Sequence, residues 1–148
     1  MISRILIAVD DSPAALTAAR TGIDLARTTR AEVRAVHVLT DHQLTDLLRD
    51  SAPRGERGGV ATRRGAGGDS LLRHVEHLAQ RAGLAIEVSL DEGEPAQVIL
   101  AQARAWQADL IVLGRSHRTG PGEPYIGHET QHVLEFASQP VLVVPAPG

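Results

Sequence analysis

The sequence predicts a single-domain α/β protein (residues 1–148) whose core is a doubly wound parallel sheet of five strands with helices on both faces. Three short runs are almost continuously apolar, as is typical of strands covered on both faces: residues 5–9, 109–113 and 141–144. Two more polar runs, 32–39 and 84–90, predict the remaining strands. Segments with helical periodicity separate the strands, and this alternation favours right-handed crossovers within one parallel sheet.

The helix signals follow the strands in order. Ser12 is a suitable N-cap for the first helix, and Pro13 takes its first position. A second helix fits residues 69–82, a third begins near residues 94–95, and a fourth follows Gly127 and ends before Pro140. The apolar positions predicted to face the core are Ala18, Ile23 and Ala26 in the first helix, Leu71, Leu72, Val75, Leu78 and Ala79 in the second, Val98, Ile99, Ala101 and Ala105 in the third, and Val133, Leu134 and Ala137 in the fourth.

Residues 49–68 interrupt this pattern with an Arg- and Gly-rich stretch, RDSAPRGERGGVATRRGAGG. The stretch has almost no apolar side chains and is longer than an ordinary connection, which predicts a flexible loop. Five Arg against Asp50 and Glu56 give it a net charge of +3. Two interpretations are open: a solvated loop, or a basic arm that binds phosphate or RNA.

The composition excludes several classes of protein. The chain has no cysteine, which excludes disulfide scaffolds, thiol catalysis and Cys-based zinc or iron–sulfur sites. No apolar run reaches the roughly 20 residues that cross a bilayer. With 15 basic and 18 acidic residues and an aromatic content of 2%, the chain lacks the features of a nucleic-acid-binding surface. We therefore expect a cytoplasmic protein without a DNA or membrane partner.

The position of a ligand site follows from the fold class. A doubly wound sheet binds its ligand beyond the carboxyl ends of the strands, where the strand order reverses, so candidate residues follow Val9, Leu39 and Leu113. Asp10 is the first of them. Its carboxylate suits a ribose hydroxyl or an adenine amino group, or else it caps the following helix. Val38, at the end of the second strand, suits either a purine face or the core.

The most informative stretch begins at Gly114-Arg115-Ser116-His117 and, after nine residues, continues at Gly127-His128-Glu129-Thr130. The helix start after Gly127 suits a phosphate because of its free N–H groups and its dipole. The spacing resembles the signature of the universal stress protein (UspA-like) family, which is a glycine, two residues, a glycine, nine residues, then a glycine and a Ser or Thr. Further matches occur in order and cover nearly the whole chain outside 49–68: residues 5–10 with Ser12, 36–38, 93–95, 108–114 and 140–144.

The resemblance implies a sheet in the order 3-2-1-4-5, of the adenine nucleotide alpha-hydrolase-like type, and a homodimer formed through the last strand, residues 141–144. It also implies an adenine nucleotide as the ligand, namely ATP with Mg²⁺ accompanying it. In ATP-binding members, Asp10 and Val38 would hold the adenosine, the glycines would admit the ribose and phosphates, and the Thr130 hydroxyl would reach a phosphate. The positions implied to bind nucleotide are Ala8, Asp10, Val38, Leu113, Gly114, His117, Gly127, His128 and Thr130.

Two positions depart from the signature. His117 replaces the second glycine, which permits positive φ and close backbone approach. His128 replaces the Ser or Thr that offers a hydroxyl to phosphate, and Glu123 places a carboxylate in the loop between them. Protonated histidines also suit phosphate. The signature is therefore degenerate, and it predicts weakened rather than abolished ATP binding.

Residues 128–132, HETQH, also match the HExxH pattern of zinc peptidases. A peptidase needs a third metal ligand, and only 16 residues follow His132. A metal site formed by His117, His128 and His132 is the broader alternative.

Together these features predict a non-catalytic regulatory module of the stress response with a partly retained adenine-nucleotide site. Two alternatives remain open. One is a slow Mg²⁺-dependent nucleotide hydrolase in the same pocket, to which Asp10 and Arg115 or Arg118 would contribute. The other is a His-based metal-binding module.

Overall fold

A computed structural model of the chain describes residues 1–40, 58–115 and 126–147, and of residues 58–67 it describes the backbone. Strands and helices alternate along the described chain, as the sequence predicts. The elements are β1 Arg4–Ala8, α1 Ala14–Thr29, β2 Glu32–Leu39, α2 Gly58–Arg81, β3 Ile86–Glu92, α3 Pro95–Trp106, β4 Leu110–Gly114, α4 His128–Phe136 and β5 Val141–Val144.

The five strands form one parallel sheet in the order β3-β2-β1-β4-β5. This confirms the predicted fold class and the strand order that the family resemblance implies. In the centre of the sheet, Ile5 of β1 pairs with Val33 of β2 on one side and with Leu110 of β4 on the other. The strand order reverses at β1, because the chain moves outward through β2 and β3 and then returns to β4 on the opposite side.

Two aliphatic cores lie on the two faces of the sheet, because successive side chains of a strand point in opposite directions. Ile5 and Ile7 of β1 pack with the buried faces of α1 and α2. Leu6 and Ala8 pack with the buried faces of α3 and α4. The strands of the sheet centre are thus covered on both faces, which explains their nearly continuous apolar sequences.

Several boundaries and faces differ from those predicted. α2 begins at Gly58 rather than at residue 69, so the predicted loop 49–68 is helical from Gly58 onward, whereas residues 49–57 lie outside the described residues. The prediction followed the apolar face, which starts near Leu72, and the polar first half of the helix carries no such signal. Two alanines and one leucine that were expected in the core are exposed, namely Ala101, Ala105 and Leu134. The helices are rotated so that other small residues face the sheet.

The start of α1 also differs in detail. Pro13 precedes the helix in the αR conformation, and no side chain caps its first turn. The predicted N-cap, Ser12, instead uses its backbone: its N–H donates to Oδ1 of Asp10, and its carbonyl accepts from the N–H of Ala15. No helix in the described parts of the chain is long and apolar enough to cross a membrane.

Candidate functional site

A cavity of about 200 Å³ opens at the carboxyl ends of β1, β2 and β4, between the first turns of α3 and α4. This is the edge of the sheet at which the strand order reverses, the location predicted for a ligand site. The cavity is lined by Ala8, Val9, Asp10 and Asp11 after β1, Val36, His37, Val38 and Thr40 of β2 and its end, Pro95 and Ile99 of α3, Leu113 and Gly114 of β4, and Glu129 and Thr130 of α4.

The walls of the cavity are mainly aliphatic. Val38 and Leu113 contribute from two strands that flank β1, and Ile99 contributes from α3. All three side chains are largely buried, so they belong to the core and also border the open space. A flat apolar ring such as a purine can bury its faces against such walls, while a few polar groups fix its orientation.

Asp10 stands at the exposed side of the cavity, directly after β1. Its Oδ1 accepts a hydrogen bond of 2.8 Å from the N–H of Ser12. The carboxylate therefore shapes the turn before α1. It does not cap the helix, as one of the two sequence interpretations expected, because the first turn of α1 has no side-chain cap. The turn leaves Asp10 exposed, and a carboxylate with two oxygens can accept further hydrogen bonds from a ligand hydroxyl.

Gly114 ends β4 where the strand passes close to the first residue of α1. A Cβ at Gly114 would lie 2.8 Å from Cβ of Ala14 and 2.9 Å from its carbonyl carbon. Packing therefore requires a glycine here. The carbonyl of Gly114 accepts a hydrogen bond of 3.2 Å from the Thr130 hydroxyl, which ties β4 to α4. Thr130 lines the cavity but is only 1% exposed.

Gly127 is the residue before α4 and has φ 96° and ψ 147°. Only glycine adopts this region without strain, which explains its place in the motif. Its carbonyl accepts from the N–H of Gln131. His128 follows as an exposed residue at the start of α4, adjacent to the cavity wall but not part of it.

Glu129 reaches from the first turn of α4 to the first turn of α3. Its side chain hydrogen-bonds with that of Glu94, and the backbone of Ala96 also contacts it. Burial raises the pKa of the Glu129 carboxyl, and the neighbouring Glu94 raises it further. Burial also raises the pKa of Glu94, but the hydrogen bonds from Glu129 and Gln97 and the charge of His132 outweigh it, so that pKa is lowered. The ionisation of each carboxyl therefore depends on the charge of the other.

His37 is a buried polar residue of β2 at the base of the cavity. Its Nδ1 donates a hydrogen bond of 2.7 Å to the carbonyl of Val9. A Cβ at Gly68 of α2 would lie 3.0 Å from the imidazole Cδ2, so the ring packs closely against this helix. His37 thus joins the end of β1 to β2 and α2, and it has a structural role that the sequence motif did not indicate.

The structure brings most of the sequence-implied positions to the one cavity. Gly127 and His128 lie beside it, and His117 lies outside the described residues, as does Glu123. The implied positions that line the cavity are Ala8, Asp10, Val38, Leu113, Gly114 and Thr130.

Sequence reasoning did not place Glu129, Pro95 or Ile99 in the cavity wall. Only their position in the first turns of helices that follow β3 and β4 could have indicated it, because such turns border the carboxyl edge of a parallel sheet. Thr40 had a simpler signal, since it directly follows β2.

The histidines of the HETQH segment do not form a metal cluster with other described residues. Within residues 1–40, 58–115 and 126–147, no three His, Asp or Glu side chains are placed to hold one ion. His132 packs its ring against Phe136, with centroids 4.9 Å apart, and Glu129 engages Glu94. The third histidine of the predicted set, His117, lies outside the described residues.

Comparison with known proteins agrees with this fold and this motif. The sequence matches the universal stress protein family over residues 1–145. Among curated relatives, Universal stress protein MJ0531 of Methanocaldococcus jannaschii is 31% identical over 147 residues, covering 99% of this chain and 84% of the relative.

Solved structures share the fold at lower identity. UspA of Lactobacillus plantarum has a TM-score of 0.76 at 23% identity, covering 97% of both chains. A universal stress protein in complex with cAMP has a TM-score of 0.70 at 18% identity, covering 99% of this chain and 98% of the other. The protein from Archaeoglobus fulgidus in complex with dAMP has a TM-score of 0.65 at 22% identity, covering 97% and 99%. This chain belongs to the universal stress protein family.

Proposed function

We propose that this chain is a non-catalytic regulatory protein of the cytoplasm that binds the adenosine part of an adenine nucleotide in the cavity at the carboxyl ends of β1, β2 and β4. One observation carries the proposal: residues implied by the motif from β1, β2, β4 and α4 line a single cavity at the edge where the strand order reverses. Two family members of the same fold have been solved with adenosine monophosphates, cAMP and dAMP.

The arrangement of the cavity suits an adenosine. Val38 and Leu113 offer apolar surface to the base, and Asp10 offers an exposed carboxylate to the ribose hydroxyls. Gly114 borders the cavity through its backbone, since its missing side chain would point towards Ala14 of α1. ATP with Mg²⁺ remains within the proposal as one candidate ligand, and adenosine monophosphates are the others.

A non-catalytic role is supported by the partners of the polar side chains in the cavity wall. Asp10 holds the turn at Ser12, Thr130 holds the carbonyl of Gly114, and Glu129 holds Glu94. Nucleotide hydrolysis needs a positioned water and cationic stabilisation of the transition state. Each of these three side chains instead has a structural contact: Asp10 within the turn between β1 and α1, Thr130 with the end of β4, and Glu129 with the start of α3.

Calorimetric titration of the purified full chain with AMP and with ATP, with and without Mg²⁺, tests the proposal. We expect saturable binding that Val38→Phe, which fills the cavity, and Asp10→Ala both weaken by at least about tenfold. Asp24→Ala, which removes an exposed carboxylate from α1, serves as the matched control and should leave binding unchanged. Lack of binding up to millimolar nucleotide, or phosphate release that depends on Mg²⁺ and Asp10, would contradict the proposal.

We also propose that the protein forms a homodimer through β5. β5 is an edge strand of the sheet, and its side chains are mostly half-buried. The carbonyls of Pro140 and Val144 accept hydrogen bonds from β4, so by alternation the N–H of Val143 points away from the sheet. Phe136, 62% exposed, ends α4, the element that precedes this strand in the chain. An edge with free backbone groups and a neighbouring exposed aromatic residue favours pairing with another strand.

A further inference from the structure

Glu129 places an acidic group at the side of the cavity where a phosphate is expected. It belongs to the first turn of α4, whose start was predicted to face phosphate, and its side chain lines the cavity. Its Oε2 is buried and has no hydrogen-bond partner among the described residues. The other oxygen therefore makes the bond with Glu94, and the side chain lines the cavity in which a ligand would lie.

The Glu129 side chain also occupies the amino end of α3. Glu94 caps this helix by accepting a 3.0 Å hydrogen bond from the N–H of Gln97, and Glu129 contacts both Glu94 and the backbone of Ala96. The free N–H groups of a helix start are a favourable site for an anion. Here the protein's own carboxyls fill that site, so an incoming phosphate finds those donors already engaged.

Among the described residues, the charges around Glu129 are predominantly negative. Asp10 and Asp11 also line the cavity, and Glu94 contacts Glu129. The basic side chains nearby on described residues are those of His128 and His132 of α4, neither of which lines the cavity. No arginine is among the described residues that line it. Like charges in a partly desolvated space repel strongly, so each further phosphate charge weakens binding.

We propose that Glu129 is a specificity-determining residue, which makes the cavity favour adenosine and adenosine monophosphates over the di- and triphosphate. The inference rests on the proposed adenosine site and adds to it the preferred charge of the ligand. The carboxyl acts by disfavouring the competing ligand, a common way of achieving specificity. Contacts with Glu94 and with the backbone of Ala96 hold the carboxyl of Glu129 in place.

The test compares adenosine, AMP and ATP by calorimetric titration of the full chain at low ionic strength, where charge effects are least screened. The wild-type chain should bind adenosine and AMP at least about tenfold more tightly than Mg²⁺-free ATP. Glu129→Gln keeps the shape and removes the charge. It should strengthen ATP binding about tenfold and leave adenosine binding unchanged within about twofold. Glu129→Ala should likewise raise the affinity for ATP relative to that for adenosine.

Glu135→Gln is the matched control, because Glu135 is an exposed carboxylate on the same helix but away from the cavity. It should behave as wild type. Equal affinity of the wild type for AMP and ATP, an unchanged ratio in both Glu129 variants, or tight ATP binding that needs Mg²⁺ together with Glu129 would each overturn the inference while leaving the adenosine site intact. If the wild type binds neither adenosine nor AMP, the proposed function fails and the inference fails with it.

Discussion

Gly114 lies so close to Ala14 that a methyl group on Gly114 would stand 2.8 Å from the methyl group of Ala14. The contact joins the end of β4 to the start of α1, on the side of the sheet away from α3 and α4. A glycine that the family motif associates with nucleotide approach is thus also required by packing. Changes at Gly114 will affect stability as well as ligand affinity, and the two effects need separate measurements.

Gly114→Ala should lower the free energy of unfolding by about 1–3 kcal/mol, the usual cost of inserting a methyl group into a packed contact. Urea unfolding followed by circular dichroism measures this. The double variant with Ala14→Gly removes one of the two clashing methyl groups and should recover part of the loss. An unchanged midpoint in Gly114→Ala would show that α1 can move away freely, contrary to this account.

Gly127→Ala should be costlier than Gly83→Ala. Both glycines have positive φ, but Gly83, at φ 76°, has no other atoms near its missing Cβ. An alanine there costs about 1–2 kcal/mol, the penalty of a single left-handed residue. At Gly127, with φ 96° and ψ 147°, alanine must leave a region that is essentially restricted to glycine, at about 2–3 kcal/mol. Thermal unfolding of the two variants compares them, and equal losses would contradict the expected order.

Thr130→Val should reduce stability more than ligand affinity. The hydroxyl donates to the carbonyl of Gly114 and is 1% exposed, so its hydrogen is already engaged. Valine keeps the shape and leaves the carbonyl unpaired, at about 1–3 kcal/mol, whereas Thr130→Ser keeps the donor. If Thr130→Val weakens AMP binding strongly and leaves adenosine binding and stability unchanged, the hydroxyl contacts the phosphate, as the family resemblance implies.

Asp109 should make stability depend on pH in the acid range. Hydrogen bonds from the backbone N–H groups of Ser3 and Arg4 lower the pKa of its carboxyl. Because folding lowers this pKa, the ionised carboxyl stabilises the folded state at pH values above its unfolded pKa, near 3.8. This stabilisation is lost as the pH falls through the folded pKa. Asp109→Asn should therefore destabilise the protein more at pH 7 than at pH 3. Urea midpoints at both pH values test this. An equal loss at both would contradict it.

Val143→Pro should abolish the proposed dimer and leave the monomer folded. Proline removes an N–H that points away from β4, and edge strands tolerate it there. Phe136→Glu should have the same effect through an exposed residue beside the strand. Sedimentation equilibrium gives the mass of each variant. A monomeric wild type, or variants that remain dimeric, would remove β5 from the interface.

The local sequence predicted the strands because their residues are buried on both faces, and it predicted the cavity's location because parallel strands end at one edge. That rule, together with the family resemblance, predicted that Asp10 and Val38 border the cavity. The start of α2 at Gly58 could not be predicted from the sequence, because its first turns carry no apolar face. The pairing of Glu94 with Glu129 could not either. It joins residues on two helices with β4 between them, and no local spacing records such a tertiary contact.

Amide chemical-shift mapping of the isotope-labelled full chain with AMP tests the central claim most directly. The account predicts saturable shifts that concentrate at the carboxyl edge of the sheet, at Ala8, Val38, Gly114 and Thr130. The Trp106 end of α3, on the opposite edge, should remain unchanged and serves as the internal control. No shifts at millimolar AMP, or shifts centred away from that edge, would contradict the account.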